Sequence, residues 1–362
     1  MNQTSSPDQR HHGLHLWMRA EVRSTERRAP ITPTDARALI GAGAQITVER
    51  SAQRVFEIAE YAEAGAHLAD SGSWVDAPPD AYIVGIKELP EAPAELRHTH
   101  IYFAHAYKGQ DGAAELLGRF ERGGGELLDI EYLTLDHRRV VAFGYWAGYV
   151  GASLSLLQAH GALAAPLAPM ARGELDKAVQ ECAAPTGSAL VIGARGRSGR
   201  GAVDALRGAG WTPSKWGLAE TTDLDTSALL DHEILINCVV SHRPQKPFVT
   251  SDDITAPGRR LRVIGDVTCD VTSANNALPI NTSITTWEEP VRRFGSRQGA
   301  DPTGAVPPLD VIAIDNLPSL LPLEASVSFS ADFTPWLVDL AARSGPFAAA
   351  QETFRQSSGH RG

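Results

Sequence analysis

Two side chains that can exchange protons stand at the ends of predicted buried strands. Lys87 follows the apolar run 81–86, and His105 follows the run 99–104. A lysine that is partly removed from water gives up its proton more readily and can act as a base, and a histidine exchanges protons near neutrality. Parallel strands of an open α/β sheet end at the ligand crevice, so the pair indicates acid–base chemistry there. The alternative interpretation of Lys87 is a side chain that only extends to water.

Three arginines offer groups that bind carboxylates. Arg19 follows the first predicted strand, and Arg138 and Arg139 belong to a basic hairpin. A guanidinium can donate two parallel hydrogen bonds to a carboxylate, so these side chains are candidates for holding an acidic substrate. A solvated turn is the alternative for the hairpin, and position relative to a cleft decides between the two.

Two further histidines have the spacing of a metal site. His98 and His100 are two residues apart and share one face of an extended segment. No neighbouring cysteine or Glu-x-x-His pattern completes a ligand set. We therefore expect ordinary hydrogen-bonded histidines and no metal.

A glycine-rich turn follows the apolar run 189–192. Gly193, Gly196 and Gly199 are spaced as a variant of the dinucleotide-binding fingerprint, and helical sequence resumes at Gly201. A strand, a glycine turn and a helix allow backbone N–H groups and a helix N-terminus to approach a pyrophosphate closely. An ordinary tight turn is the alternative interpretation of the same pattern.

Hydrophobic periodicity and turn residues place these groups on α/β units. The predicted strands cover 14–18, 45–49, 81–86, 99–104, 126–132, 189–192, 234–240, 261–266 and 311–314. The predicted helices cover 36–42, 57–64, 112–120, 143–160, 201–206 and 335–354. With 362 residues the chain is long enough for two domains. We expect two Rossmann-like, doubly wound α/β domains with a cleft between them.

Composition argues against several classes of protein. The net charge is -10 without a block of lysine and arginine, which disfavours nucleic acid and anionic membranes as partners. Cys182, Cys238 and Cys269 are too few for a disulfide framework, and no segment has the pattern of a signal peptide or a membrane span. We expect a cytoplasmic protein in a reducing compartment that acts on small molecules.

A series of short motifs runs from about Leu14 to beyond Ser326. They include Arg19-Ala20-Glu21, Lys87-Glu88-Leu89-Pro90, Phe103-Ala104-His105, Phe143-Gly144-Tyr145, Ile236-Asn237-Cys238 and Asp315-Asn316-Leu317-Pro318-Ser319-Leu320-Leu321-Pro322. Together and in this order, they resemble the NAD-dependent, lysine-forming saccharopine dehydrogenases. The wider group includes alanine dehydrogenase, which is similar in having a Lys and a His at strand ends of its first domain.

The resemblance implies an oxidoreductase that exchanges a hydride between nicotinamide and the carbon of a secondary amine. Saccharopine, NAD and water would give lysine, 2-oxoglutarate and NADH in a reversible reaction of lysine biosynthesis. The resemblance further implies that Lys87 takes the proton of the secondary amine and that His105 serves the water and carbinolamine steps. Glu88 and Glu131 match neighbouring acids that tune these groups, since a carboxylate favours the charged form of a Lys or His.

The resemblance also implies binding residues and a role for each domain. Residues 1–142 with 315–362 would form the substrate and catalytic domain, and residues 143–314 the dinucleotide-binding domain of a monomer. The implied substrate-binding residues are Arg19, Lys87, Gln110, Arg139, Phe143, Thr268, Cys269 and Asp270. The implied cofactor-binding residues are Arg138, Gly193, Gly196, Arg197, Ser198, Gly199, Thr221, Val240, Val267, Ile314, Asp315, Asn316 and Leu317.

One departure from the family pattern concerns the cofactor. Gly217 follows Lys215-Trp216, where the family usually has an acid that holds the adenine ribose. Arg195, Arg197 and Arg200 lie in or beside the glycine turn. Since a missing acid and nearby arginines tolerate a 2′-phosphate, NADP is an alternative to NAD.

Other departures concern a disulfide and the substrate. Ser198 stands where fungal members have a cysteine that can pair with the equivalent of Cys238, so that disulfide is not expected. The polar segment 292–308 has the composition of a loop near the cleft that could alter substrate choice. Two alternatives stay open: an enzyme that joins a different amine and 2-oxo acid, and a non-catalytic cofactor-binding protein. Retention of Lys87 and His105 argues against the second, because a pure binder needs neither.

Overall fold

A computed structural model describes residues 13–182, 187–241, 244–295 and 306–357. The chain divides into two units, of which the first contains residues 1–142 and 322–362 and the second contains residues 143–321. Most of the polar segment predicted at 292–308 lies outside the described residues. Within the described ranges, no helix combines the length and apolar character needed to cross a membrane.

Strands and helices alternate along most of the chain. The strands are β1 (His15–Met18), β2 (Gln45–Glu49), β3 (His67–Ala69), β4 (Tyr82–Val84), β5 (Thr99–Tyr102), β6 (Glu126–Asp129), β7 (Thr134–Leu135), β8 (Arg138–Arg139), β9 (Ala189–Ile192), β10 (Ser214–Trp216), β11 (Ile234–Asn237), β12 (Val263–Asp266), β13 (Arg292–Phe294) and β14 (Leu309–Ile312). The helices are α1 (Pro33–Gly41), α2 (Ile58–Glu63), α3 (Ala113–Gly123), α4 (Gly144–Ala159), α5 (Arg172–Cys182), α6 (Arg197–Gly208), α7 (Leu218–Thr222), α8 (Thr226–Leu230), α9 (Ser251–Ile254), α10 (Pro322–Phe333) and α11 (Pro346–Ser357). Short 3-10 helices lie at Ser73–Asp76, Ile130–Tyr132, Leu317–Leu320 and Thr334–Asp339.

The main sheet of the first unit is parallel, with the strand order β3-β2-β1-β4-β5-β6. The order reverses between β1 and β4, where Trp17 lies opposite Ile83. In open α/β sheets, ligands bind at the carboxyl ends of the strands beside such a reversal. Arg19, Lys87 and His105 follow β1, β4 and β5 respectively. The fold therefore brings the predicted chemistry to one edge of the sheet.

Apolar side chains from strands and helices form the core that supports this edge. Ile83 and Leu127 from the sheet are buried together with Trp74 and Phe120. From α11, Phe354 contacts the edge of the Phe120 ring, with 5.8 Å between ring centres. A fully buried side chain of this size contributes about 1.5–3 kcal/mol to folding. The C-terminal helix thus returns to the first unit, as the sequence predicts.

The sheet of the second unit has the order β10-β9-β11-β12-β14-β13, with only β13 antiparallel to its neighbour. Its four inner strands, β9, β11, β12 and β14, are buried on both faces, as continuous apolar runs predict. Leu190, Leu235, Ile264 and Val311 belong to one buried cluster. The order reverses between β9 and β11, and the glycine turn leaves the sheet at the end of β9. The second unit therefore also has its predicted ligand motif at a reversal point.

Helix α4 confirms the helix predicted at 143–160 and packs on α6 with direct backbone contact. A Cβ atom at Gly148 would lie 1.8 Å from the carbonyl oxygen of Ser198, and one at Gly201 would lie 1.9 Å from that of Tyr145. Real Cβ atoms do not approach so closely, so both positions require glycine. This contact explains the small residues of α4 and supports the first turn of α6.

Several predicted elements differ from those in the structure. The strand predicted over 126–132 ends at Asp129, because its carboxylate accepts the N–H of Glu131 and the chain turns into a 3-10 helix. The observed strands β1, β4, β5, β11 and β12 are also shorter than predicted, and β14 lies two residues before the predicted 311–314. The sequence does not predict β3, β10, β13, α5, α7, α8, α9 or α10. Most of these elements have only three to five residues, and prolines precede or begin α5 and α10.

The return to the first unit falls at Pro322 instead of the predicted residue 315. The intervening 3-10 helix packs on α4, where a Cβ at Gly151 would lie 3.3 Å from a methyl carbon of Leu317. This apolar contact keeps residues 315–321 with the second unit.

Candidate active site

The main chain of Lys87 is held on both sides by two residues that follow β1. Its N–H donates to the Glu21 carboxylate over 3.0 Å, and its carbonyl accepts from the Arg19 guanidinium. Glu21 also accepts the N–H of Ile86 over 2.7 Å and is paired with Arg19 over 3.2 Å. The Arg19–Glu21 pair therefore fixes the point at which the chain leaves β4.

The surroundings of Arg19 do not match the predicted open fork for a substrate carboxylate. Its side chain is fully buried, and it lies over the Tyr102 ring. Gly85 makes room for it, since a Cβ there would lie 2.5 Å from Nε of Arg19. The sequence gives the residue type correctly, but whether an arginine after a strand faces solvent or the interior depends on the neighbouring strand.

The two carboxylates near Lys87 have different environments. Burial raises the pKa of Glu21, although Arg19 and two backbone N–H groups act in the opposite direction. Burial is the largest single effect on Glu88 and acts to raise its pKa. The hydrogen bonds from Arg23 over 2.8 and 3.1 Å, a backbone N–H and the charges of Arg23 and Lys87 together outweigh burial, so the pKa of Glu88 is lowered. Glu88 is thus ionised and bound to Arg23, while Glu21 accepts the backbone N–H of Lys87.

The backbone at His105 is held by a second buried carboxylate. Asp129, at the end of β6, accepts the N–H of His105 over 3.0 Å and the N–H of Glu131 over 2.9 Å. His105 has a φ of 52°, a left-handed conformation that is uncommon for a residue with a side chain. Burial raises the pKa of Asp129 to about 6. A carboxyl group that titrates near neutrality therefore lies directly behind the predicted acid–base residue.

The Glu131 carboxylate is the centre of a charged cluster. It lies 3.3 Å from Nδ1 of His105, 2.7 Å from Nζ of Lys108 and 3.9 Å from a guanidinium nitrogen of Arg139. The hydrogen bond with His105, reinforced by Lys108 against the effect of burial, lowers the pKa of Glu131 to about 2. The structure thus brings together His105, Glu131 and Arg139, as the resemblance implies.

Lys108 is the member of this cluster that the sequence analysis missed. Its backbone N–H donates to the side chain of Gln110 over 2.8 Å, which places the predicted Gln110 beside the cluster. The only sequence signal for Lys108 is its distance of three residues from His105. Arg138 and Arg139 are exposed on the hairpin of β7 and β8, which confirms that the basic segment forms a hairpin.

His98 and His100 lie in the core beneath this edge. Nε2 of His98 is 2.9 Å from the carbonyl oxygen of Ala77. His100 is fully buried in edge-on contact with the rings of Trp74 and Phe120, and burial lowers its pKa well below the usual value. Neither ring nitrogen of His100 has a hydrogen-bond partner among the described residues, so this histidine acts as an apolar ring, not as the expected hydrogen-bonded group.

In the second unit, the glycines of the turn have separate structural roles. Gly193 has a φ of 81° and lies against the end of β11, where a Cβ would be 2.9 Å from the carbonyl oxygen of Cys238. A Cβ at Gly199 would lie 2.2 Å from the carbonyl oxygen of Gly193, so the helix packs directly on the turn. Gly196 is the N-cap of α6 and is the most open of the three. This is the geometry of a pyrophosphate-binding turn.

Helix α6 begins at Arg197, earlier than the predicted Gly201. Arg and Ser tolerate the first helical turn, so the helix includes Ser198 and Gly199. The unpaired N–H groups of a first turn and the helix dipole favour an anion at this point. The earlier start therefore moves the helix N-terminus into the glycine motif itself.

A cavity of about 610 Å³ lies beside the turn. Its lining includes the predicted cofactor residues Gly193, Thr221 and Val240, together with Gly217 and Lys246. The structure therefore brings together the end of β9, the loop after β10 and the loop after β11. A dinucleotide fits this donor set and the cradle that the glycines leave open.

The other predicted residues of the second unit lie at the ends of β11, β12 and β14. Asp266 accepts from Asn237 over 3.0 Å and from the Thr268 hydroxyl over 2.8 Å. Cys269, with a φ of 50°, donates its thiol to the carbonyl oxygen of Asp266. The remaining members are Phe143 at the start of α4, Val267 and Asp270 after β12, and Ile314, Asp315, Asn316 and Leu317 after β14. Cys182, Cys238 and Cys269 are free thiols.

The fold and these sites define the class of protein as an α/β protein of two doubly wound units, similar in fold to alanine dehydrogenase. A solved L-alanine dehydrogenase matches with a TM-score of 0.65 and 15% identity, over 94% of this chain and 93% of that one. A transhydrogenase from Sinorhizobium meliloti matches with a TM-score of 0.61 and 14% identity, over 90% and 94%. The family model described as alanine dehydrogenase/PNT, N-terminal domain, matches residues 17–150.

Curated relatives then give the family. The chain is 41% identical to saccharopine dehydrogenase [NAD(+), L-lysine-forming] of Emericella nidulans, over 94% of this chain and 96% of that protein. It is 42% identical to the Neurospora crassa protein of the same name, over 90% and 91%, and 40% identical to that of Schizosaccharomyces pombe, over 90% and 93%. The chain belongs to this saccharopine dehydrogenase family.

Proposed function

We propose that the chain is an NAD-dependent oxidoreductase acting on the CH–NH group of saccharopine. In the oxidative direction, saccharopine, NAD and water give lysine, 2-oxoglutarate and NADH, and the reaction is reversible. The curated relatives bear the name of this activity and are matched over nearly their whole length. The first unit would carry the substrate chemistry and the second would bind the dinucleotide.

One observation carries the proposal. Lys87 and His105 leave neighbouring parallel strands, β4 and β5, at the same edge of the sheet. Each has its backbone N–H held by a buried carboxylate, Glu21 for Lys87 and Asp129 for His105. Two titratable side chains on fixed main chain are what general acid–base catalysis requires.

The chain's own residues would move two protons. Lys87 takes the proton of the secondary amine nitrogen as the C–N bond is oxidised. His105 takes a proton from the water that attacks the imine carbon and returns one to the departing amine nitrogen as the carbinolamine collapses. Glu131, ionised and hydrogen-bonded to His105, stabilises the imidazolium that forms between these steps. NAD supplies the hydride acceptor when it is bound.

Binding of substrate is assigned by the same resemblance. Gln110 and Arg139 would hold a carboxylate of the substrate beside the His105 cluster, and Arg138 would contact the cofactor. In the second unit, Thr268, Cys269 and Asp270 would contact the substrate with Phe143. In this scheme, Arg19 is a positioning residue for Lys87, since its guanidinium is buried.

The glycine turn, the N-terminus of α6 and the adjoining cavity would hold NAD. Gly193, Gly196, Arg197, Ser198 and Gly199 would surround the pyrophosphate. The other proposed contacts are Thr221, Val240, Val267, Ile314, Asp315, Asn316 and Leu317. NADP is the alternative cofactor, because Gly217 carries no acid and Arg195, Arg197 and Arg200 are close in sequence.

Absorbance at 340 nm tests the function directly. With lysine and 2-oxoglutarate, we expect oxidation of NADH, whereas a panel of other amines and 2-oxo acids should give much lower rates. Turnover only with a different amine and 2-oxo acid would leave the proposed mechanism standing and refute the proposed substrate. No turnover across the panel would instead favour a non-catalytic protein that binds the cofactor.

A variant separates catalysis from binding. Lys87→Met should lower turnover by at least about 10²-fold, the scale of general base catalysis, while NADH binds with unchanged affinity. Lys177→Met, which removes an exposed lysine from α5, is the matched control and should leave both unchanged. Full turnover of Lys87→Met would refute the role of Lys87.

The proposed cytoplasmic location rests on the composition, and the proposed monomeric state rests on the family resemblance. Fractionation of cells with a tagged chain and light scattering at several concentrations test them. A concentration-dependent mass would refute the monomer.

A further inference from the structure

The loop after β10 holds a carboxylate beside Gly217, the position at which dinucleotide-binding folds have a ribose-binding acid. β10 pairs in parallel with β9, and Gly193 of the turn donates its N–H to the carbonyl oxygen of Trp216 over 2.9 Å. Gly217 therefore directly follows the strand that lies beside the pyrophosphate turn. In dinucleotide-binding folds, an acid at the end of this second strand binds the ribose 2′-hydroxyl.

Glu220 reaches back to this point. Its Oε2 accepts the N–H of Gly217 over 2.7 Å. A Cβ atom at Gly217 would lie 3.6 Å from the same oxygen. The carboxylate of Glu220 thus occupies the space that the side chain of an acid at residue 217 would enter.

This carboxylate is ionised and can accept further hydrogen bonds. The N–H of Gly217 is the main cause that lowers the pKa of Glu220, and the charge of Arg195 acts in the same direction. An ionised carboxylate offers about four acceptor positions on two oxygens. Among the described residues, the N–H of Gly217 is its only hydrogen-bond donor from outside its own residue. It therefore keeps capacity for hydroxyl donors.

The ligand space lies next to Glu220. Gly217, Leu218 and Thr221, on both sides of Glu220 in sequence, line the 610 Å³ cavity that also contains Gly193 of the pyrophosphate turn. Glu220 is not itself a lining residue, but its carboxylate is hydrogen-bonded to the N–H of Gly217, which is. A hydroxyl there would gain a charge-assisted hydrogen bond, and a phosphate there would meet a like charge.

We propose that Glu220 replaces the acid missing at Gly217 and selects NAD over NADP. It accepts the ribose hydroxyls of NAD and repels a 2′-phosphate. The inference rests on the proposed function only in that the second unit binds a dinucleotide, and it does not depend on the identity of the substrate.

Direct binding of NADH and NADPH to the intact protein without substrate, followed by cofactor fluorescence, tests the inference. The unmodified protein should bind NADH at least about tenfold more tightly than NADPH, the scale of one charge-assisted hydrogen bond. Glu220→Gln should weaken the binding of NADH by about tenfold and remove most of the preference over NADPH, because the neutral amide is a poorer hydrogen-bond acceptor and does not repel a phosphate. Adding Gly217→Asp to Glu220→Gln should restore the preference for NADH.

A matched control excludes a general effect of losing a helix cap. Asp225 caps α8 through the N–H of Ala228 over 3.0 Å, as Glu220 caps the start of α7. Asp225→Asn should leave the ratio of the two affinities unchanged. An unchanged ratio in Glu220→Gln, or equal binding of NADPH by the unmodified protein, would overturn the inference.

The outcomes separate this inference from the proposed function. Selective binding of NADH without turnover of saccharopine would refute the substrate and retain the role of Glu220. Binding of neither cofactor would refute both.

Discussion

Replacement of Asp129 by Asn should change how the stability of the protein depends on pH. Asp129 is completely buried and holds the backbone of His105 and Glu131. Burial raises its pKa from 3.8 to about 6. A raised pKa in the folded state means that the folded chain binds the proton more tightly, so stability is highest below the unfolded value and falls as pH rises through the folded value.

The size of the effect follows from the shift. About two pKa units correspond to about 3 kcal/mol over the whole titration, of which about 1.4 kcal/mol is lost between about pH 5 and pH 8. Asp129→Asn removes this ionisation. The amide also leaves one of the two backbone N–H groups without its acceptor, which costs about 1–3 kcal/mol at every pH.

Urea unfolding, followed by circular dichroism at constant ionic strength, measures both terms. At pH 5 the variant should be less stable than the unmodified protein, and at pH 8 the gap should be smaller by about 1.4 kcal/mol. Asp76→Asn, at an exposed position, is the control. Its free energy of unfolding should differ from that of the unmodified protein by the same amount at pH 5 and at pH 8. A gap for Asp129→Asn that stays constant or widens with pH would refute the reasoning.

Three further predictions concern the supports of the two sites. Glu21→Gln should lower kcat by about tenfold, because Lys87 loses a charged acceptor, while NADH binding measured by fluorescence stays within about twofold; an unchanged kcat would contradict the role of Glu21. Gly148→Ala should destabilise the protein in thermal unfolding by about 3 kcal/mol or more, since its methyl group meets the backbone of α6. Gly208→Ala, whose methyl group enters open space, is the control and should be neutral or stabilising, and equal effects would refute the packing argument. Arg23→Ala should change the free energy of urea unfolding by less than about 1 kcal/mol, because its pair with Glu88 is largely solvated, and a larger loss would show that this pair supports the fold.

Local physics made several elements predictable. The alternation of apolar residues predicts β2 at 45–49, and the structure confirms these bounds. Thr32 precedes α1, and its hydroxyl accepts the N–H of Asp35 over 3.1 Å, as its capping position indicates. The continuous apolar run before Gly193 predicts a buried strand, and the structure confirms it. These features depend on contacts within a few residues, which a sequence displays directly.

Whether a charged side chain points to solvent or to the protein interior was not predictable in this way. Arg19 has the chemistry of a carboxylate fork, but the neighbouring β4 and Gly85 give it a buried place beneath Lys87. Lys108 has no pattern that distinguishes it from a solvated lysine, and only the fold brings it to Glu131. The start of α6 was also misplaced, because glycines that favour a turn are here retained within a helix that packs on α4.

The sequence by itself determined most strands of the two sheets and the longer helices that it predicts, the strand-end positions of Lys87 and His105, and the glycine turn. Tertiary structure alone decided that Glu21 holds the main chain of Lys87 from 66 residues away and that Asp129 holds that of His105 from 24 residues away. The physical reason is that propensity and periodicity act over a few residues, whereas a buried carboxylate finds its N–H donors only when distant strands pair in register.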